Sequence, residues 1–343
     1  MRTPVTVGVV GATSRATALT HAFSELPQAE LRWICEDLPR LGRADPGAVR
    51  WTNKLDDLLL DEELDAVAFA STELAGGGRA YAALASDKHV LVQGPVAFTS
   101  AESDELVGLA ERRSRRLLTH SPALLRPGVL RLHRLLDRGV LGDVYYVHAS
   151  RAARREGDGP DVLWDLGIET VALVLDLLGD QPVEAVARGE SYLGLDRPDV
   201  VVASLGFATG IRVYLHLSRL DGETAERLSI VGSEATAVLD ASEQQRGLSL
   251  YPKRQAPGMF DELALDPGGH IRFSLPEDDS TRLGCARFLA AVRSPGDLQN
   301  ARKASATIAV VEALGLSCAG NGAPETIAPG TELPDQNVIA FRS

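Results

Sequence analysis

The chain has 343 residues, 45% hydrophobic and 24% charged, a globular composition that excludes a disordered or fibrous protein. Its formal charge is −12, from 35 Lys+Arg against 47 Asp+Glu, which argues against a nucleic-acid partner, since such proteins carry a basic excess or stripe. Three cysteines, Cys35, Cys285 and Cys318, are too few and too scattered for a disulfide framework or a Cys-rich metal site.

At roughly 150 residues per domain, the length suggests about two domains. Met1 to Pro4 leads straight into a strand, so no signal peptide is expected. No apolar run approaches the roughly 18 residues of a membrane span. A cytoplasmic chain with no membrane partner is the expectation. Val5 to Val10 reads as a buried parallel strand, broken by Gly11. Ala18, Leu19, Ala22 and Phe23 then fall at helical spacing. Leu31 to Cys35 is a second strand, ending in Glu36-Asp37. A helix over 55–60, a strand over 66–70, a helix over 80–84 and a strand over 89–92 follow. A helix over 101–113, with Ser100 placed to cap it, precedes a strand over 116–119. The basic run from Arg112 to Arg116 reads as a solvated helix end rather than a phosphate patch. Strands alternating with helices predict a doubly wound parallel sheet over residues 1–121.

Residues 122–343 have a different texture. A helix over 129–138, a strand over 142–150 and a long helix over 161–178 precede a series of strands. These lie over 183–190, 200–207, 212–218, 227–231 and 237–240, with Gly-Asp, Thr-Gly, Asp-Gly and Gly-Ser at the turns. The Pro/Gly-rich stretch over 251–280 is expected to be loop or edge. Helices are expected over 283–292 and 301–314. This pattern predicts an α+β domain on a mostly antiparallel sheet, and an α/β chain as a whole.

Gly11-Ala12-Thr13-Ser14-Arg15-Ala16 sits where a dinucleotide loop belongs, between a strand and a helix. Gly11 suits the tight turn. Thr13 puts a β-branched side chain where room for pyrophosphate is wanted, and Ala16 allows helix and strand to pack. Glu36 ends the second strand, where a carboxylate accepts from a ribose hydroxyl and repels a 2′-phosphate. NAD(H) is therefore expected in preference to NADP(H). The candidate cofactor residues are Gly11, Thr13, Ser14, Arg15, Glu36, Ser71, Gly76, Gln93, Gly94 and Pro95. The Gly76-Gly77-Gly78 run reads either as a helix-entry loop or as a close approach to the cofactor.

Asp165 and Glu169 are one helical turn apart, which puts both carboxylates on one face. Two such carboxylates in a partly dry cleft push one pKa upward, as a proton donor or base requires; the alternative is acidic residues that suit a helix N-terminus. His120 follows a strand, at the sheet end where open α/β sheets bind ligands. Glu169, Asp165 and His120 are the candidate catalytic residues. His133 and His148 read as surface or sheet residues, and one of Tyr145 and Tyr146 is placed to face a cleft. No spacing suggests a metal site.

Taken in order, several segments resemble the glucose–fructose oxidoreductase / inositol dehydrogenase / rhizopine-catabolism (Gfo/Idh/MocA) family across nearly the whole chain. They are Val7-Gly8-Val9-Val10-Gly11, Lys88 to Ala97, Arg126-Pro127-Gly128-Val129, Asp137 to Val144, and Val162-Leu163-Trp164-Asp165-Leu166-Gly167. The resemblance implies a Rossmann domain, a second domain on a large open sheet, and a dimer or tetramer. It also implies NAD(P)-dependent chemistry on a hydroxyl of a sugar, cyclitol or nucleotide sugar. The segment around Trp164 looks most like the nucleotide-sugar and amino-sugar branches.

The departures are specific. The family's Glu-Lys-Pro reads Gln93-Gly94-Pro95, so the lysine that stabilises a developing alkoxide is missing. Its Asp-Leu-Gly-x-His-Asp reads Asp165 to Thr170, so Glu169 stands where the acid/base histidine usually does. A histidine of the third-strand loop falls near Gly76. Three functions follow as expectations. The first is a divergent oxidoreductase acting on a sugar-, nucleotide-sugar- or imine-like small molecule, with an acid/base site centred on Glu169. The second is a redox-silent member, a pseudoenzyme or partner subunit. The third is a scaffold turned to elimination, isomerisation or cyclisation.

Overall fold

The computed structural model describes residues 3–36, 49–72, 76, 78–153, 161–194, 196–222, 224–241, 247–253, 269–294 and 299–327. Asp37, Gly77 and the 254–268 part of the expected loop lie outside these. Every residue of β1 (Val5–Val10) is buried. Such a strand has neighbours on both edges and helices on both faces. Around it lie β2 (Ala29–Cys35), β3 (Arg50–Thr52), β4 (Ala66–Phe69), β5 (His89–Gln93) and β6 (Leu117–His120). All pair in parallel, in the order β3-β2-β1-β4-β5-β6 of a doubly wound Rossmann sheet. The connecting helices are α1 (Ser14–Glu25), α2 (Leu55–Leu59), α3 (Arg79–Ala85), α4 (Ser100–Arg112) and α5 (Pro122–Leu125). Thr99, not Ser100, caps α4. Its backbone is extended, and its Oγ1 accepts from the Glu102 amide at 3.2 Å, while Ser100 is already helical.

The second sheet belongs to a separate unit. Its helices are α6 (Pro127–Asp137) and α7 (Ile168–Leu178), the latter entered through a π-helical turn at Leu163–Gly167. Its strands are β7 (Val144–Ala152), β8 (Pro182–Glu190), β9 (Val200–Phe207), β10 (Arg212–Ser218), β11 (Ala225–Gly232), β12 (Ala235–Asp240), β13 (Gly247–Pro252), β14 (Ile271–Phe273) and β15 (Glu325–Thr326). Their order is β14-β13-β12-β11-β7-β10-β9-β8-β15. Each pairing is antiparallel except β7 with β10, which is parallel. Alternation sorts the side chains. Val147, Ala149, Val213, Leu215, Ala203 and Leu205 are buried on one face. Tyr146, Tyr214 and Val202 stand exposed on the other, with the two tyrosine rings edge-on at 6.2 Å.

Beyond β14 the chain forms α8 (Ser280–Val292) and α9 (Gln299–Ala319). One compact unit comprises Met1–Leu125 with Asp279–Ile308, the other Arg126–Asp278 with Ala309–Ser343. Within the first, α8 packs on α1: Phe288 meets Phe23 edge-on at 6.4 Å, in a cluster that includes Leu19, Leu91, Cys285 and Leu289. Arg116 departs from the solvated reading of its basic run. It is buried, and its guanidinium donates to the carbonyls of Ala291 (3.1 Å) and Ser294 (2.5 Å) beside the end of α8. No helix among the described residues is long and apolar enough to cross a membrane.

Asp61 ties together the opposite end of the first sheet from the strand termini that end in Glu36 and His120. Its Oδ2 accepts from Trp33 Nε1 at 2.7 Å and Arg32 Nε at 3.0 Å, and its Oδ1 from the Glu63 amide at 3.0 Å. Its backbone carbonyl and that of Leu64 receive the buried ammonium of Lys88, at 2.7 and 2.8 Å. Burial works against the Asp61 charge, but these donors outweigh it and hold the carboxyl below the usual carboxylate range. The resulting stability is complete above the ordinary carboxylate pKa of about 4 and is lost as pH falls through the depressed folded value. Asp61→Asn is therefore expected to cost about 1–2 kcal/mol at pH 7 in thermal denaturation, with the deficit shrinking below about pH 4.

Candidate functional site

In the first unit, the candidate residues gather at the carboxyl ends of the parallel strands. Gly11 leaves β1 at φ 135, a left-handed value that favours glycine, and its amide donates to the Cys35 carbonyl at 2.8 Å. Thr13 is the N-cap of α1. Its Oγ1 accepts from the Ala16 amide at 3.4 Å, and its carbonyl accepts from Thr17 N at 3.0 Å. The side chain expected to crowd a pyrophosphate therefore also consumes one of the amides a pyrophosphate would use. Ser14 and Arg15 form the exposed first turn. Glu36 follows β2, and its Oε2 is buried with no hydrogen-bond partner among the described residues.

Gly94 follows β5 at φ 122, and a Cβ there would lie 2.8 Å from Thr72 Oγ1. That hydroxyl is fixed, because it donates to the Pro95 carbonyl at 2.7 Å. Position 94 thus has neither the backbone nor the space for a lysine. Ser71 and Thr72 follow β4, and Gly76 donates its amide to the Thr72 carbonyl at 2.8 Å. Gln93 and His120 are paired across β5 and β6, both buried, and Gln93 Oε1 and His120 Nε2 lack partners among the described residues. The His120 ring lies against α8, where a Cβ on Gly284 would come within 2.1 Å of it. Burial pushes its pKa down to about 4, so the imidazole is neutral near pH 7.

In the second unit, Asp165 and Glu169 each have an arginine beside them, from the ends of β10 and β7. Arg151, near the end of β7, places Nη2 2.6 Å from Glu169 Oε2. Arg219, just past β10, places Nη2 3.1 Å from Asp165 Oδ2, with both side chains nearly inaccessible. A guanidinium group thus stands beside each carboxylate. Burial works against the Arg151 charge, but Glu169, Glu226 and Asp165 outweigh it and hold that guanidinium above its usual value.

The helix that carries the two acids differs from the expected continuous α-helix. Asp161 Oδ1 accepts from the Leu163 amide at 2.7 Å, and Ile168 donates back five residues to the Leu163 carbonyl. Gly167 lets this π-turn approach β10, since a Cβ there would lie 3.0 Å from Leu217 Cδ1. Such turns occur frequently at functional sites.

Neither arginine has a sequence signal, because each lies far beyond helical spacing from the acid it pairs with, Arg219 being 54 residues from Asp165. The other candidates are placed as follows. His133 pairs with Asp176 at 2.8 Å. His148 is exposed in β7, Tyr146 lies against Tyr214, and Lys253 sits over the Tyr145 ring at 5.1 Å. No group of three or more His, Cys, Asp or Glu among the described residues could hold a metal ion.

Residues 5–121 match the model of an oxidoreductase family with an NAD-binding Rossmann fold, and residues 129–238 match the GFO/IDH/MocA C-terminal domain. A curated relative, UDP-N-acetylglucosamine 3-dehydrogenase from Acidithiobacillus ferrooxidans, is 27% identical over 207 residues, covering 58% of this chain and 64% of that one. The chain thus spans less than two thirds of that relative's length. Among solved structures, an oxidoreductase domain protein from Kribbella flavida is similar with a TM-score of 0.80 at 19% identity, covering 96% of this chain and 100% of that one. GenD2 from gentamicin A biosynthesis, in complex with NAD, gives a TM-score of 0.76 at 22% identity, covering 96% and 98%.

Buried histidines give the first unit a pH signature. His89 is also held down to about 4, by burial first and then by Arg115. A histidine whose folded pKa lies below its unfolded value gains a proton on unfolding. Its contribution is full above about pH 6.5 and is lost toward pH 4. For His120 this amounts to about 3 kcal/mol at most. Thermal denaturation across this range should show falling stability on acidification, with a clearly shallower slope in His120→Gln.

Proposed function

This chain belongs to the GFO/IDH/MocA oxidoreductase family, and on that premise we propose that it oxidises a hydroxyl-bearing carbon of a sugar or nucleotide sugar with NAD, using Glu169 as proton acceptor. The observation that carries this reading is the ion pair of Glu169 with Arg151 at 2.6 Å. The guanidinium is fully charged and fixes the carboxylate in one orientation. An ionised carboxylate takes a proton from a hydroxyl, whereas an imine would need a donor. Arg219 balances Asp165, so the second carboxylate does not repel the charge on the first.

NAD, when bound, supplies the hydride acceptor. The residues that would hold it are those at the strand ends of the first unit. Gly11, Thr13, Ser14 and Arg15 would meet the pyrophosphate and Glu36 the ribose, with Ser71, Gly76, Gln93, Gly94 and Pro95 further along the edge. The unpartnered, buried Oε2 of Glu36 and Oε1 of Gln93 fit this assignment, since each is an acceptor lacking a donor. Glu36 would repel a 2′-phosphate. The Thr13 cap weakens the grip on the pyrophosphate. His120, neutral and turned against Gly284, assists by position rather than by titrating. The small molecule is the one substrate partner, and the exposed tyrosine face of the second sheet suits a homodimer or homotetramer of a cytoplasmic enzyme. A redox-silent role is the second reading, favoured by the capped first loop and the closed position 94.

Calorimetry on the full chain separates the two. The oxidoreductase reading expects NADH to bind at least tenfold more tightly than NADPH. It also expects Thr13→Gly to bind NADH at least as well as the parent, at a capping cost of a few tenths of a kcal/mol. Absence of any nicotinamide binding would favour the silent role.

With a panel of UDP-sugars and cyclitols, Glu169→Gln should lower NAD reduction by roughly 10²-fold or more, the scale of a lost general base. Unchanged turnover in that variant would remove Glu169 from the chemistry.

A further inference from the structure

We propose that Glu226 and Arg126 are positioning residues for Glu169: together they decide how the charge of Arg151 is divided between two carboxylates, and with it how readily Glu169 takes up a proton. The proposal rests on the reading above for the use made of that proton; the arrangement of charges stands apart from it.

Glu226 in β11 lies directly across from Arg151 in β7, and two residues along the same strands Leu228 and Ala149 are paired and buried. Residues two apart on a strand share a face, so Arg151 and Glu226 both belong to the covered side of the sheet. Opposed residues of an antiparallel pair bring their Cβ atoms to about 5 Å, where opposite charges attract. Glu226 is thus the carboxylate that strand register alone assigns to Arg151. The short contact is nevertheless with Glu169, at 2.6 Å, which arrives on α7 rather than on a neighbouring strand.

Arg126 accounts for the difference. Its Nη1 donates to Glu226 Oε2 at 2.8 Å. Arg126 stands at the N-cap of α6, just before Pro127, and its side chain makes no capping bond. A cation there opposes the helix dipole, so the position itself gives it no reason to stay. Glu226 holds it, and one oxygen of Glu226 is occupied in return. Arg151 is left to serve Glu169.

The result is an alternating chain of charges, Arg126, Glu226, Arg151, Glu169. The side chains of Arg151, Glu169 and Glu226 are between 18% and 24% exposed, so salt screens them only weakly. Burial works against the Arg151 charge, and Glu169 and then Glu226 are the acids that do most to sustain it. Asp165 contributes less and is itself held by Arg219. The direction for Glu169 follows from the signs. A guanidinium devoted to one carboxylate favours its ionised form and makes it a poorer proton acceptor. A guanidinium shared with Glu226 favours that form less. Arg126 limits the sharing by drawing Glu226 to itself. Glu226 therefore raises the proton affinity of Glu169, and Arg126 lowers it.

The test is carboxyl 13C NMR of the full chain labelled at glutamate and titrated with pH, the Glu169 signal being identified by its loss in Glu169→Gln. Relative to the parent, Glu226→Gln should lower the Glu169 midpoint by about half a pH unit or more, and Arg126→Gln should raise it by a similar amount. Arg126→Lys, which keeps the charge, should restore the parent value. Packing loosened by either substitution would move the midpoint the same way in both, so opposite shifts are the signature. The proposal is overturned if the midpoint stays put in both variants or moves in one direction in both. Should Arg126→Gln not fold, the isosteric Glu226→Gln carries the test by itself, and no fall in the midpoint overturns the proposal. Where the sugar panel yields turnover, the acidic limb of the kcat profile should follow the same two shifts with KM little changed. Opposite shifts in a chain whose Glu169→Gln variant keeps its turnover sink the choice of Glu169 as base and leave this proposal standing. Unmoved midpoints in a chain whose Glu169→Gln variant loses turnover sink this proposal alone.

Discussion

The parallel pairing of β7 with β10 is the constraint on which the second unit depends. In an antiparallel pair the two strands end at opposite edges of the sheet. Here Leu217 is level with Arg151 and Ser218 with Ala152, so both strands run out at the same edge. A parallel pair needs a long crossover rather than a hairpin. The segment that supplies it contains the π-turn, α7, β8 and β9. The acids are thus carried back to the edge where the two arginines emerge. Arg151, Arg219, Asp165 and Glu169 all share that edge because of one choice of strand direction.

Much of the scaffold was legible because burial leaves a period in the sequence. The strands expected over 200–207 and 212–218 form with those same limits, since alternation in a half-buried sheet is unambiguous. Short elements were not legible. Arg50-Trp51-Thr52 makes a three-residue edge strand with little burial to mark it, β14 lies in a stretch whose Pro and Gly content reads as loop, and β13 runs only its last two residues into that stretch. The π-turn was also hidden. It breaks a helix by hydrogen-bond spacing, not by composition, so 161–178 keeps its apolar periodicity through the change. The fate of α8 was equally invisible: its pattern announces a helix but not which sheet it covers.

The candidate site divides along the same line. Asp165 and Glu169 could be found because they lie on one short segment of recognisable pattern. Their counter-charges could not, because Arg151 and Arg219 meet them only through tertiary structure. The sequence shows two acids one helical turn apart, and the structure adds a guanidinium beside each of them. In the first unit, Gly94 reads in sequence as a missing side chain. In the structure it is a position closed from both sides, by its own φ and by the Thr72 hydroxyl.

The π-turn carries a consequence for how this site can change over time. Each residue of an α-helix advances the side-chain direction by ~100°, and a π-turn accommodates one residue more than the α-helical turn it replaces. Removing a single codon within 163–167 would let the helix regularise. Every later residue would then swing by about that angle, and Glu169 would face away from β7 while the rest of α7 slid out of register with the sheet. A substitution at position 169 keeps the helix register, but length is frozen there. A changed residue within 163–167 leaves the acids aimed at their arginines and a deletion does not, so this short stretch is where the lineage would be expected never to vary in count.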